Sequence, residues 1–178
     1  MSIALWALST PLAAQSAFTA GLAATLGDGW QIEGADVGIV RPLRLGPLRR
    51  WTAVGRVGSF VDQGSFFGGQ RGVLGGIALG VRTASMTVAE IGTDPDFTRI
   101  TFDLTVEAAG YLAANSPLPH GSPWMAASLL PAIRVGDPAA TQFTMLLGPA
   151  WFLGHDSVVR VFLGLRAELP LAPGPPAP

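Results

Sequence analysis

The sequence predicts an all-β fold: an eight-stranded antiparallel up-and-down transmembrane β-barrel with short loops. Three observations lead there. The segment 97–112, FTRITFDLTVEAAGYL, alternates with a period of two, so that Ile100, Phe102, Leu104, Val106, Ala108 and Leu112 share one face and Thr101, Asp103, Thr105, Glu107 and Tyr111 the other. Apolar residues make up 49% of the chain and charged ones only 13%, about half the usual globular share, which leaves too little polarity for an ordinary soluble surface. The 23 Gly and 15 Pro punctuate the chain at short intervals, as many short strands require and long helices do not allow. Beyond the N-terminal stretch no run of apolar residues is long enough for a membrane helix, so a bilayer-spanning form of this chain has to be a closed barrel of strands.

The elements follow in order. Residues 1–15 combine an apolar stretch with Pro11 and the small residues Ala13 and Ala14, which reads as the end of a secretory signal peptide lacking its basic start. Cleavage there leaves a chain that begins near Ser16; the alternative is a short N-terminal strand or helix. Residues 16–171 are assigned to the barrel. Its first strand, Ala17–Leu26, sets Phe18, Ala20, Leu22, Ala24 and Leu26 against Thr19, Gly21, Ala23 and Thr25, and turns at Gly27-Asp28-Gly29. In the second, 30–43, Trp30 and Ile32 are out of phase with Ala35, Val37 and Ile39, so a bulge near Gly34 is expected. The third, 51–61, opposes Thr52 and Arg56 to Trp51, Ala53, Val57 and Val61. A Gly-rich loop at 62–72 leads to the fourth, with Val73, Ile77, Leu79 and Val81 on one side and Gly76, Ala78, Gly80 and Arg82 on the other.

The less regular stretch TASMTVAEIGTDPD reads as a strand end and a turn around Asp94 to Asp96, after which the segment 97–112 is the fifth strand. The sixth, 124–135, opposes Ala127, Leu129, Ile133 and Val135 to Ser128, Ala132 and Arg134; Pro131 inside it is at odds with a barrel that has no edge strand. The seventh sets Phe143, Met145, Leu147, Trp151 and Leu153 against Gln142, Thr144, Gly148 and Ala150. The eighth sets Val159, Val161, Leu163, Leu165 and Leu169 against Arg160, Gly164, Arg166 and Glu168. The Pro-rich tail, 172–178, cannot pair in a sheet and reads as disordered.

The polar face collects Arg56, Arg82, Asp103, Glu107, Arg160, Arg166 and Glu168 among Gly, Ala and Thr, whereas the opposite face is aliphatic and aromatic. A ligand-carrying soluble barrel has the reverse arrangement. Small and ionic inside with apolar outside is the membrane version. An eight-stranded lumen is filled by side chains, so those seven residues are expected to form an ion-pair network that closes the barrel rather than a pore. Trp30, Trp51, Trp124 and Trp151 all fall near strand ends, as in the aromatic girdles of a bilayer protein, with Trp124 on the inward parity.

Together these features resemble the small eight-stranded outer-membrane barrels of the OmpA/OmpX type over residues 17–171. The resemblance implies a location in a Gram-negative-type outer membrane, a signal peptide, contact with the lipid bilayer, delivery by the barrel-assembly machinery and a structural, envelope-stabilising or surface-interaction role. The chain departs from that class where its last strand ends on Leu169 or Leu171 instead of an aromatic residue.

Other function classes receive little support. All eleven basic residues are Arg, the net charge is −1 and no basic stripe is present, so nucleic acid is not an expected partner; the absence of Cys removes disulfides and thiolate metal sites. No cofactor or metal is expected, and the oligomeric state is left open. His120-Gly121-Ser122 has the spacing of a base and a nucleophile and resembles part of the His-x-Ser motif of the outer-membrane lipid A deacylases. Pro123 stands where that family has Asn, and no acid follows before Asp137. The alternatives are thus a soluble or secreted lipocalin-like barrel around an apolar ligand and, behind it, an outer-membrane lipid hydrolase using His120 and Ser122.

Overall fold

The computed structural model describes residues 16–62, 70–93, 96–115, 124–137, 140–154 and 157–171, and nearly all of them lie in strands. In chain order these are β1 (Ala17–Leu26), β2 (Trp30–Leu45), β3 (Leu48–Asp62), β4 (Gln70–Thr83), β5 (Met86–Thr93), β6 (Asp96–Ala114), β7 (Trp124–Gly136), β8 (Gln142–Leu153) and β9 (Val158–Pro170). Eight of them close an antiparallel up-and-down barrel in the order β4-β3-β2-β1-β9-β8-β7-β6, with β4 pairing β6. The all-β class and the eight-stranded antiparallel up-and-down barrel expected from the sequence are therefore present. Closure is complete along β1 and β9, from Ala17↔Pro170 to Leu26↔Val161, which leaves neither terminal strand with an open edge.

β5 is the element that the alternation pattern does not reveal. The stretch expected to be a strand end and turn forms a strand of its own, in line with β4 along the 19-residue β6. The upper part of β6 pairs β4, from Arg82↔Thr105 to Val73↔Ala114, and its lower part pairs β5, from Met86↔Phe102 to Thr93↔Asp96. Between the two ladders the Leu104 amide donates to Thr83 Oγ1 at 3.1 Å, so a side chain takes the place of the missing backbone acceptor. A register shift between Thr87 and Ala89 scrambles the period of two, which is why the sequence hides the strand. The β5–β6 hairpin thus continues beyond the barrel wall and is not a ninth stave.

Two further expectations change. No bulge exists near Gly34: the registers of β2 run unbroken from Thr25↔Ile32 to Ala17↔Val40 and from Trp30↔Asp62 to Pro42↔Arg50, and the slip comes between Pro42 and Leu45. Trp30 and Ile32 are simply in phase with the inward residues Asp36 and Val40. The β2–β3 connection is also tighter than expected, closing at Gly46 (φ 55°) so that Arg49 and Arg50 belong to β3. Pro131 does sit within a barrel strand. It pairs Leu104 on β6, while the β7–β8 ladder lapses between Ser128↔Ala150 and Ala132↔Leu146, where Pro149 lies in the facing strand. Two residues without an N–H share one gap, so neither strands a ladder partner of its own elsewhere.

The core is the lumen. Odd positions of β1 and β6 and even positions of the other barrel strands are buried, among them Thr19, Val54, Ala78, Thr105, Leu130, Leu146 and Phe162. Most alternate positions face out and are exposed, including Leu22, Val57, Ile77, Leu112, Phe143, Leu147 and Leu165, whereas Gln31 and its ladder partner Val61, which the sequence places on the outer face, are buried.

Candidate functional site

Inward parity on successive strands stacks the lumen in three layers. At the end of the Gly29 turn the layer is aromatic. Trp30 meets Phe60 and Phe152 edge to face, with ring centroids 5.9 and 5.6 Å apart, and Tyr111 stacks on Phe152 at 6.0 Å. The Arg160 guanidinium lies 4.2 Å above the Trp30 ring, and that of Arg56 lies 5.0 Å from the Phe162 centroid, where the layer gives way to charge.

The middle layer is a four-membered ionic cluster. Arg56 donates to Glu107 Oε2 at 2.9 Å and to the Tyr111 hydroxyl at 2.8 Å, and its Nη2 lies 3.7 Å from Asp36. Arg166 donates to the second Glu107 oxygen, Oε1, at 3.0 Å and to Asp36 Oδ2, the oxygen that Arg56 also approaches, at 2.9 Å. Four staves, β2, β3, β6 and β9, are therefore linked across the axis. Glycine makes room for the long side chains: a Cβ at Gly21 would stand 2.8 Å from Arg166 Cγ, and one at Gly80 would stand 3.0 Å from Glu107 Cγ.

The lowest layer repeats the arrangement. Arg82 grips Glu168 with both Nη atoms, at 3.0 and 2.8 Å. Arg134 reaches Glu168 Oε1 and the Thr144 hydroxyl and clasps Asp103 through Nε and, at 3.2 Å, through Nη2. The two lower layers hold four arginines and four carboxylates, all buried, so their formal charges cancel.

Of the seven residues singled out on the polar face, Arg56, Arg82, Asp103, Glu107, Arg166 and Glu168 meet in these clusters. Arg160 stands apart, over Trp30. Asp36 and Arg134 complete the clusters. Arg134 shows the inward parity in the sequence, whereas Asp36 is masked by the apparent phase change at Trp30. Among the four tryptophans, Trp51 and Trp151 lie on the outward face. Trp30 turns into the lumen, because even positions of β2 point inward. The Trp124 backbone pairs Tyr111, and its side chain is outside the described residues, as are His120, Ser122 and residues 1–15 and 172–178.

Chemically the two lower layers pair each buried guanidinium with carboxylates of the same layer. A void lined by Ile32, Arg56, Tyr111, Phe152 and Phe162 measures about 10 Å³, at the lower limit for a single water. Among the described residues no group of three or more His, Asp or Glu is placed to hold a metal ion. No protein-family model matches this chain, and no curated protein or solved structure is significantly similar to it. Its reading rests on geometry.

Proposed function

We propose that this chain is a small outer-membrane β-barrel of the OmpA/OmpX kind. Its lumen is plugged by ion pairs, and its role is structural: it stabilises the envelope or presents a surface there. The observation that carries this reading is the sidedness of the wall. Asp103 and Arg160 are 2% and 8% exposed, while Leu147 and Leu165, at outward positions, are 49% and 54% exposed. Outward positions of β1, β7, β8 and β9 contain no charged residue at all. In water such a surface is unfavourable by roughly 25 cal/mol per Å² of apolar area; in hydrocarbon it is the matching solvent. Barrel strands of 10 to 19 residues also meet the roughly 9–11 residues that a tilted strand needs to cross a bilayer core. On this reading the chain carries a signal peptide, is inserted by the barrel-assembly machinery and holds its termini on the periplasmic side.

The test is folding by dilution from urea. Onto phosphatidylcholine vesicles the protein should fold and co-float with lipid, and its unboiled form should migrate differently from the boiled one on an SDS gel. In plain buffer it should not stay monodisperse. A monodisperse, lipid-free folded protein would instead favour the lipocalin-like alternative. Lipid-modifying activity lost on Ser122→Ala would favour the hydrolase.

A further inference from the structure

The β2–β3 hairpin carries a feature that the plugged lumen does not use. Residues 41–50, RPLRLGPLRR, hold four of the eleven arginines, and no acidic residue occurs anywhere from 37 to 61, in β1 or in β4. The neighbouring carboxylates, Asp36 and Glu168, are turned into the lumen and paired there. Arg41, Arg44 and Arg49 are exposed, and Leu45 at the turn is 63% exposed. Arg49 donates to the Gly46 carbonyl at 3.0 Å, and Arg50, less exposed than the other three, feels the Glu168 carboxylate.

The placement of these side chains decides what they face. Arg41 has the outward parity of Val37 and Ile39, so its guanidinium emerges where the apolar outer face of β2 ends. Directly across the ladder from it stands Trp51, also outward. A cation beside an indole at the rim of an apolar band, with two more cations one turn further out, is the pattern that meets a lipid phosphate while the ring stays at headgroup depth. A soluble acidic partner would not require the charges to start on the apolar face.

We infer that the β2–β3 hairpin, through Arg41, Arg44 and Arg49 beside Trp51, binds the phosphate of an anionic phospholipid in the leaflet at the end of the barrel that holds the termini. This inference rests on the membrane reading above. Three uncompensated cations near one surface enrich anionic over zwitterionic lipid several-fold, and the enrichment falls with salt.

The experiment uses a chain whose sole tryptophan is Trp51, the others being Phe, folded into phosphatidylcholine vesicles containing phosphatidylglycerol. Bromine is placed on the acyl chains of one lipid or the other, and quenching of Trp51 reports which lipid occupies its side. The expected result is a preference for phosphatidylglycerol of about threefold or more, lowered towards unity near 0.5 M salt, where the Debye length is about 4 Å. The preference should vanish in R41Q/R44Q/R49Q and survive in R41K/R44K/R49K. A companion chain retaining only Trp151, which has no arginine across the ladder from it, should show none. Equal quenching by both lipids in a barrel that gel mobility shows to be folded overturns the inference and leaves the membrane reading standing, as does a preference unchanged in the Gln variant. Failure to insert into either vesicle overturns both.

Discussion

Replacing Glu107 by Gln removes one charge from the middle cluster with little change of shape. Glu107 is 2% exposed and sits 2.9 Å from Arg56 and 3.0 Å from Arg166. At an effective dielectric of about 20, each such contact at about 4 Å charge separation is worth on the order of 4 kcal/mol. Much of that is offset by the desolvation already incurred when the cluster formed. What remains on removing one partner is an uncompensated cation in a closed lumen, for which about 3–5 kcal/mol of destabilisation is expected. Arg56→Met unbalances the cluster the other way, leaving Asp36 and Glu107 with Arg166 alone. The double variant E107Q/R56M is neutral again, so its loss should fall short of the sum of the single losses by about 2 kcal/mol or more. Urea titration of the vesicle-inserted protein, with the folded fraction read from gel mobility, measures all three. A loss below about 1 kcal/mol for E107Q, or additive losses in the double variant, refutes the idea that charge balance holds the lumen together.

The remaining predictions probe other levels of the structure. Glu90→Gln breaks an Arg99 contact of 2.7 Å, shorter than those of Glu107, yet the same titration should show a loss within about 1 kcal/mol, because Glu90 is 52% exposed by its side chain. Leu147→Arg, at the middle of the β8 outer face, should destabilise the vesicle-inserted barrel by about 2–4 kcal/mol; a change under about 0.5 kcal/mol would mean that this face meets water. Gly21→Val drives a branched side chain against the Leu165 carbonyl and Arg166, with the Cβ alone 2.1 Å from that oxygen, and should cost about 1–3 kcal/mol in the same assay. A chain with Trp30 as its only tryptophan should resist quenching by brominated lipid, whereas one with only Trp151 should be quenched strongly; equal quenching would contradict the inward and outward assignments.

The parts of this architecture that the sequence discloses are those set by a contrast of solvents. Along 97–112 every second side chain changes environment, so faces can be assigned residue by residue without knowing any partner, and the same holds for β1, β8 and β9. Legibility fails where the backbone departs from the period of two. The slip between Thr87 and Ala89 hides β5, and the inward Trp30 and Ile32 imitate a phase change because a large apolar side chain at the lumen's aromatic end looks like an outward one. Pro131 misleads for the opposite reason: its cost is local, and Pro149 across the ladder shares it. Partners are a harder matter. Arg166 meets Asp36 across 130 residues and Glu107 across 59, and no spacing rule links them. What does link them is neutrality: once a closed lumen is inferred, buried guanidinium groups call for buried carboxylates. On the sequence alone the inward set holds five Arg, Arg56, Arg82, Arg134, Arg160 and Arg166, against three acids, Asp103, Glu107 and Glu168, which points to a shortage of carboxylate; Asp36 supplies one, and Arg160 lies over the Trp30 ring. Charge balance thus narrows the search for the partners of buried Arg, while the phase of β2 is set by the unbroken registers of its two ladders.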